Sequence, residues 1–241
     1  MKTDLANLTT FFILGIPRSG TTIVANLFNS IEDGFCLGEP HWLRKQEGPD
    51  AVAKAHGKVV GELEHWTEWA DRHNMGYPAY IKMTMAPGFS PYNVGGYKET
   101  YRPYTRLSED LIRTHRHQVD FYIIVLRDPI MVMSSIKAVG DDIWTVDMLN
   151  QAYQRMDELG QDDKAVVVVY KDFCQYPMAY LNARLPFTIH GLLELYATGH
   201  AYGDPKANRS TTIEMSERKP SISDDWIEGL EPAREVWKRW R

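Results

Sequence analysis

Four short runs of uninterrupted apolar residues stand out along the chain: Phe11 to Ile16 (FFILGI), Phe35 to Gly38 (FCLG), Phe121 to Leu126 (FYIIVL) and Ala165 to Tyr170 (AVVVVY). Continuous rather than alternating hydrophobicity predicts strands covered on both faces, as in a parallel sheet. A more polar run, Ala79 to Thr84 (AYIKMT), is a fifth candidate. Between the runs the period changes. Ile23, Val24, Leu27, Phe28 and Ile31 recur at helical spacing directly behind the first run. In Asp128-Pro129 a good N-cap precedes a residue suited to the first helical position. Strand and helix alternate, which predicts right-handed crossovers and a three-layer α/β fold with a central, mainly parallel sheet flanked by helices.

The stretch from about 40 to 118 lacks this regularity and reads as an insertion that receives an acceptor substrate, with some helix in it. Tyr97, Tyr101 and Tyr104 share a helical face there. Together with Trp66, Trp69 and Tyr80 they could stack on a sugar or aromatic acceptor, although core packing is the commoner use of such residues.

Composition narrows the class. A chain of 241 residues, 44% hydrophobic and 24% charged, suits one sizeable folded domain, taken as 1–241. A net charge of -5 argues against a general nucleic-acid binder, so any anionic ligand has to be held by a local cluster of cations. Cys36 and Cys174 have no metal-ligand spacing and sit beside apolar runs, as buried thiols in a reducing compartment would. FFILGI is too short to span a membrane and lacks the basic flank of a secretion signal, so a cytoplasmic protein is expected.

The chemistry begins in Gly15-Ile16-Pro17-Arg18-Ser19-Gly20-Thr21-Thr22. The spacing is that of a P-loop, yet Thr21 stands where a kinase or ATPase has its lysine. A strand–glycine turn–helix order aims the amides of residues 19 to 22 at one point, where the helix dipole favours an anion. Arg18 offers the missing cation as a two-pronged fork. A kinase would further need the lysine and a magnesium ion. The terminal group of a phosphosulfate carries one negative charge rather than about two, so a metal-free site fits this loop.

The second constellation is Leu126-Arg127-Asp128-Pro129 through Ser134-Ser135. Arg127 ends an apolar run, at the carboxyl edge where open α/β sheets bind ligands. Ser135 lies nearly two helical turns beyond Asp128 and returns to the same face. Arg127 and Ser135 can converge on a second phosphate; equally, Arg127 can cap a neighbouring element while Ser135 only packs.

PRSGTT followed by LRDP and a Ser-Ser pair resembles the sulfotransferase family that uses 3′-phosphoadenylyl sulfate (PAPS). The resemblance implies a P-loop-like fold, with Pro17, Arg18, Ser19, Gly20, Thr21 and Thr22 on the 5′-phosphosulfate. It implies Arg127 and Ser135, eight positions apart, on the 3′-phosphate. Val169-Tyr170-Lys171-Asp172-Phe173 is similar to the family's Y-E-D-L segment, which adds Tyr170. Gly199 to Lys206 is similar to its G-N-P or G-D-P loop, which adds Gly203, Lys206 and, just beyond, Arg209. Hormone-type members carry Lys where this chain has Arg18 and a catalytic His in a K-T-H segment, whereas Lys82-Met83-Thr84 has none. The chain looks more like the carbohydrate and bacterial branch, in which a Glu-Pro pair follows the next strand.

That pair is Glu39-Pro40, followed by His41. Pro40 is expected to hold Glu39 extended and end the strand there. A carboxylate at this edge can take the proton of an attacking hydroxyl, with His41 in reserve. The implied reaction moves a sulfuryl group from PAPS to a hydroxyl of a carbohydrate or small metabolite, releases adenosine 3′,5′-bisphosphate and needs no metal. The alternatives are a nucleotide kinase with an aberrant loop and a non-catalytic adenosine-bisphosphate-binding protein. Arg113-Thr114-His115-Arg116-His117 reads as a solvated helix end. Trp237 to Arg241 reads as a C-terminal helix whose cations complement its dipole.

Overall fold

The computed structural model describes residues 9–31, 34–39, 93–189 and 220–241. β1 (Thr9–Gly15) runs through the glycine loop into α1 (Thr21–Ser30), and β2 (Gly34–Gly38) follows. Then come β3 (Val94–Thr100), α2 (Arg106–His115), β4 (Phe121–Leu126), α3 (Pro129–Ala138), α4 (Val146–Gly160) and β5 (Ala165–Val169). The short α5 (Tyr170–Gln175) and α6 (Pro177–Asn182) come next, and α7 (Asp224–Gly229) and α8 (Glu231–Trp240) complete the described elements.

The strands form one sheet in the order β2-β3-β1-β4-β5, with every neighbouring pair parallel. Side chains alternate between its faces. Phe12, Leu14, Ile124 and Leu126 meet Val132 and Met133 of α3, Leu149 and Met156 of α4 and Val236 of α8. Phe11, Ile13, Ile123 and Val125 meet Val24, Leu27 and Phe28 of α1 and Phe173 of α5. The central strands are thus buried on both faces, which is why their sequences run apolar without alternation. Each such side chain contributes about 1.5–3 kcal/mol when fully buried. The fold is α/β in three layers, as the strand runs imply.

The stretch from 40 to 118 corrects the sequence reading at its end. Tyr97 lies in a strand and not on a helix: β3 sits between β2 and β1, with six of its seven residues buried. A Cβ on Gly96 would lie 2.4 Å from the Phe11 ring, so this strand has glycine where a neighbouring aromatic needs the space. Its polar residues, Lys98, Glu99 and Thr100, fall at the carboxyl end. Hence no apolar run marks it. The last part of the supposed insertion is therefore core sheet. Tyr101 and Tyr104 follow the strand in the turn before α2, Tyr101 donating to Glu109 at 2.8 Å.

The other helix readings are mixed. Asp128 caps α3, its Oδ1 accepting from Ile130 N at 2.9 Å, with Pro129 first in the helix. Lys238 and Arg239 occupy the last turn of α8 and pair with Glu231, Glu235 and Asp157. The end of α2 is not wholly solvated: Arg113 is exposed, but His115 is buried with its Nδ1 2.8 Å from Tyr97 Oη. Cys36 and Cys174 are buried and form no disulfide among the described residues, and burial pushes Cys174 up to about 11. Ala79 to Thr84 and the aromatic residues Trp66, Trp69 and Tyr80 lie outside the described residues. No helix among the described residues is long and apolar enough to cross a membrane.

Candidate active site

From β1 the chain builds β2 and β3 on one side and then β4 and β5 on the other. Such a reversal opens a crevice at the carboxyl ends of the strands. Five segments bring side chains to that edge: the β1–α1 loop, Glu39 after β2, Lys98 near the end of β3, Arg127 after β4 and Tyr170 after β5.

The loop turns tightly. Ser19 N donates to Ile16 O at 3.0 Å, and Ile23 and Val24 both donate to Gly20 O. The amide of Ser19 is therefore used inside the turn, which removes it from the four expected to face an anion. Gly20, Thr21 and Thr22 remain, ahead of the first intrahelical bonds, where amides lack a helical partner. Gly20, the N-cap, has φ 103° and no side chain to occupy those amides. Ser19 Oγ is buried and has no hydrogen-bond partner among the described residues. Arg18 is exposed and has φ 69°, a strained left-handed value for a non-glycine residue.

The Tyr170 ring packs closely against this turn. A Cβ on Gly20 would fall 2.2 Å from its Cδ2. Glycine is thus required twice, by φ and by the ring. Gly20→Ala is expected to lower the melting temperature by roughly 2–8 °C, from about 1–2 kcal/mol of left-handed strain alone. Differential scanning calorimetry is the check, and an unchanged midpoint would contradict the close approach.

Arg127 joins the loop to β4. Its Nη1 donates to Arg18 O at 3.1 Å, and its Cζ lies 5.2 Å from the Tyr170 ring centroid. Arg18 Nε in turn donates to Ser135 Oγ of α3 at 3.0 Å. The structure therefore brings Arg18, Arg127, Ser135 and Tyr170 into one cluster. Burial holds the Tyr170 phenol well above its usual range, so it stays protonated.

The other end of the loop holds a residue that the sequence reading passed over. Lys98 Nζ lies 2.5 Å from Glu39 Oε1 and donates to Thr22 Oγ1 at 3.2 Å. β3 lies between β1 and β2, with Lys98 level with Ile13 on one side and Gly38 on the other. A lysine of the neighbouring strand thus stands beside Thr22 of a loop that has none of its own. The Lys98 side chain is 4% exposed, against 24% for Glu39, so the ammonium is buried while the glutamate side chain is partly exposed. β2 ends at Gly38, one residue before Glu39. Glu39, however, is not extended: φ is 48°. Its amide donates to Lys98 O at 2.6 Å and its carboxylate meets Lys98 Nζ, two contacts with one residue that override the extended preference before proline. The only sequence signal for Lys98 is an isolated cation in a stretch with no apolar run.

His41, Gly203, Lys206 and Arg209 lie outside the described residues. Chemically, the rest form a helix N-terminus flanked by an ammonium and two guanidinium groups, with a carboxylate beside the ammonium. That set can hold an extended anion and accept a proton at one end.

No family model and no curated protein matches this chain. Among solved structures, it is similar to the sulfotransferase domain of the olefin synthase of Synechococcus PCC 7002, with 18% identity and a TM-score of 0.55. The match covers 100% of this chain and 97% of that one, and so shows a common α/β fold.

Proposed function

We propose that the protein is a sulfotransferase that moves a sulfuryl group from PAPS to a hydroxyl of a carbohydrate or small metabolite. The observation that carries this reading is the contact of Lys98 with both Thr22 of the phosphate loop and Glu39. It places a buried cation and a proton acceptor together at a helix N-terminus, which suits group transfer at an anionic centre. The fold shared with a sulfotransferase domain supports the same class.

The donor supplies an activated sulfuryl group on a phosphate leaving group. In the proposed arrangement the amides of Gly20 to Thr22, with Lys98, face the phosphosulfate. Arg127 and Ser135 face the 3′-phosphate; Arg18, expected from the sequence on the phosphosulfate, is assigned to this end instead because its Nε bonds to Ser135, and the Tyr170 ring walls the space between. Glu39 takes the acceptor proton as the hydroxyl oxygen bonds to sulfur and the bond from sulfur to the phosphate oxygen breaks. The leaving oxygen keeps that electron pair, which Lys98 and the helix N-terminus stabilise.

Arg127→Ala tests the assignment. It is expected to weaken adenosine 3′,5′-bisphosphate roughly 10–100-fold, the worth of a charged hydrogen bond. Adenosine 5′-phosphosulfate, which lacks the 3′-phosphate, should bind nearly as before. Calorimetric titration of both ligands reads the difference, and equal losses would remove Arg127 from that role.

A further inference from the structure

We infer that Tyr153, in the middle of α4, is a positioning residue that sets Arg127 for the 3′-phosphate. This inference rests on the reading of Arg127 given above. Arg127 stands one residue beyond Leu126↔Val169, the last registered pair of β4 and β5, and just before the Asp128 cap of α3. Its carbonyl has left the ladder and accepts instead from the phenol of Tyr153. The Tyr153 side chain is fully buried among Leu126, Val132, Met133 and Met156, so it cannot follow a displaced backbone. Burial keeps its phenol protonated, and hence a donor.

The consequence reaches the guanidinium. Arg127 is held at both ends, by Tyr153 at its carbonyl and by Arg18 O and the Tyr170 face at its tip. Arg18 is itself tied to Ser135. The phenol thus anchors the root of a chain of contacts that joins α4, the β4 edge, the phosphate loop and α3. No phosphate has to touch Tyr153 for the tyrosine to affect its binding. Directed contacts of this kind depend on placement to within fractions of an ångström, which is what a rigid supporting residue provides.

The test separates positioning from plain stability. Tyr122 of β4, the strand that leads to Arg127, also donates a buried phenol to a backbone carbonyl, Leu159 O at 3.0 Å. It lies near the opposite end of β4, so Tyr122→Phe loses the same kind of bond away from Arg127. Each variant, with the wild-type protein, is titrated with adenosine 3′,5′-bisphosphate and with adenosine 5′-monophosphate. Tyr153→Phe is expected to lower the ratio of the two affinities by about 3–10-fold, the usual worth of one hydrogen bond. Tyr122→Phe should leave the ratio unchanged while lowering the melting temperature comparably. An unchanged ratio in Tyr153→Phe, or an equal fall in Tyr122→Phe, overturns the inference. A wild-type protein that binds both ligands equally removes the 3′-phosphate reading itself, and the inference with it.

Discussion

Lys98→Met is expected to lower the rate of sulfuryl transfer by roughly 10²–10³, the loss seen when one charge-stabilising donor is taken from a transition state. Methionine keeps the length and apolar character of the stem in a site that is 4% exposed, so the change removes the ammonium and little else. Negative charge grows on the leaving oxygen during transfer, and a desolvated ammonium acts on it more strongly than one in water. Lys98 should matter more to turnover than to donor affinity for that reason. Lys98→Arg should not restore activity, because the guanidinium is larger, planar and ill suited to the enclosed space between Thr22 and Glu39. Steady-state kinetics with any accepted hydroxyl gives the result. A variant that loses stability but keeps its rate would reduce Lys98 to a structural tie for Glu39.

Glu39→Gln should slow transfer by roughly 10²–10⁴, the usual worth of a positioned base, while donor binding stays intact. Glutamine keeps the shape and an oxygen that can accept from Lys98, but cannot take up a proton. Arg18, Arg127 and the loop amides are untouched by the change. The two sites are in contact, so their effects should not add: the double variant is expected to be little slower than the worse single one. Full additivity of the two losses would show that carboxylate and ammonium act separately. Near wild-type turnover in Glu39→Gln would remove it as base and turn attention to His41.

Much of this arrangement was legible in the chain because its parts are local. FFILGI and FYIIVL are buried on both faces and read directly as strands, as does AVVVV at the sheet edge, where Ala165 and Val167 are only partly buried. Gly15 to Thr22 carries its turn in its glycines, and Asp128-Pro129 carries the start of α3. β3 was not legible, for a tertiary reason. Its Gly96 answers to the Phe11 ring of a neighbour, and its Lys98 answers to Glu39 and Thr22, residues distant in sequence. Neither requirement leaves a local pattern. Glu39 was identified by its place before Pro40, yet its backbone departs from what that place suggests, since two bonds to Lys98 fix it. Tyr153 was hidden likewise: within α4 it is one more apolar-face residue until its phenol is seen at the carbonyl of Arg127.

The crevice is proposed to hold the adenosine 3′,5′-bisphosphate part of PAPS without a metal. Thermal unfolding of the purified chain with that ligand and EDTA, set against ATP with Mg²⁺, tests it most directly. The bisphosphate is expected to stabilise the fold by roughly 2.7 kcal/mol at a hundred times its Kd, undiminished by EDTA, with little effect of ATP with Mg²⁺. Stabilisation by ATP with Mg²⁺ alone, or bisphosphate binding lost on chelation, would contradict it and favour a kinase.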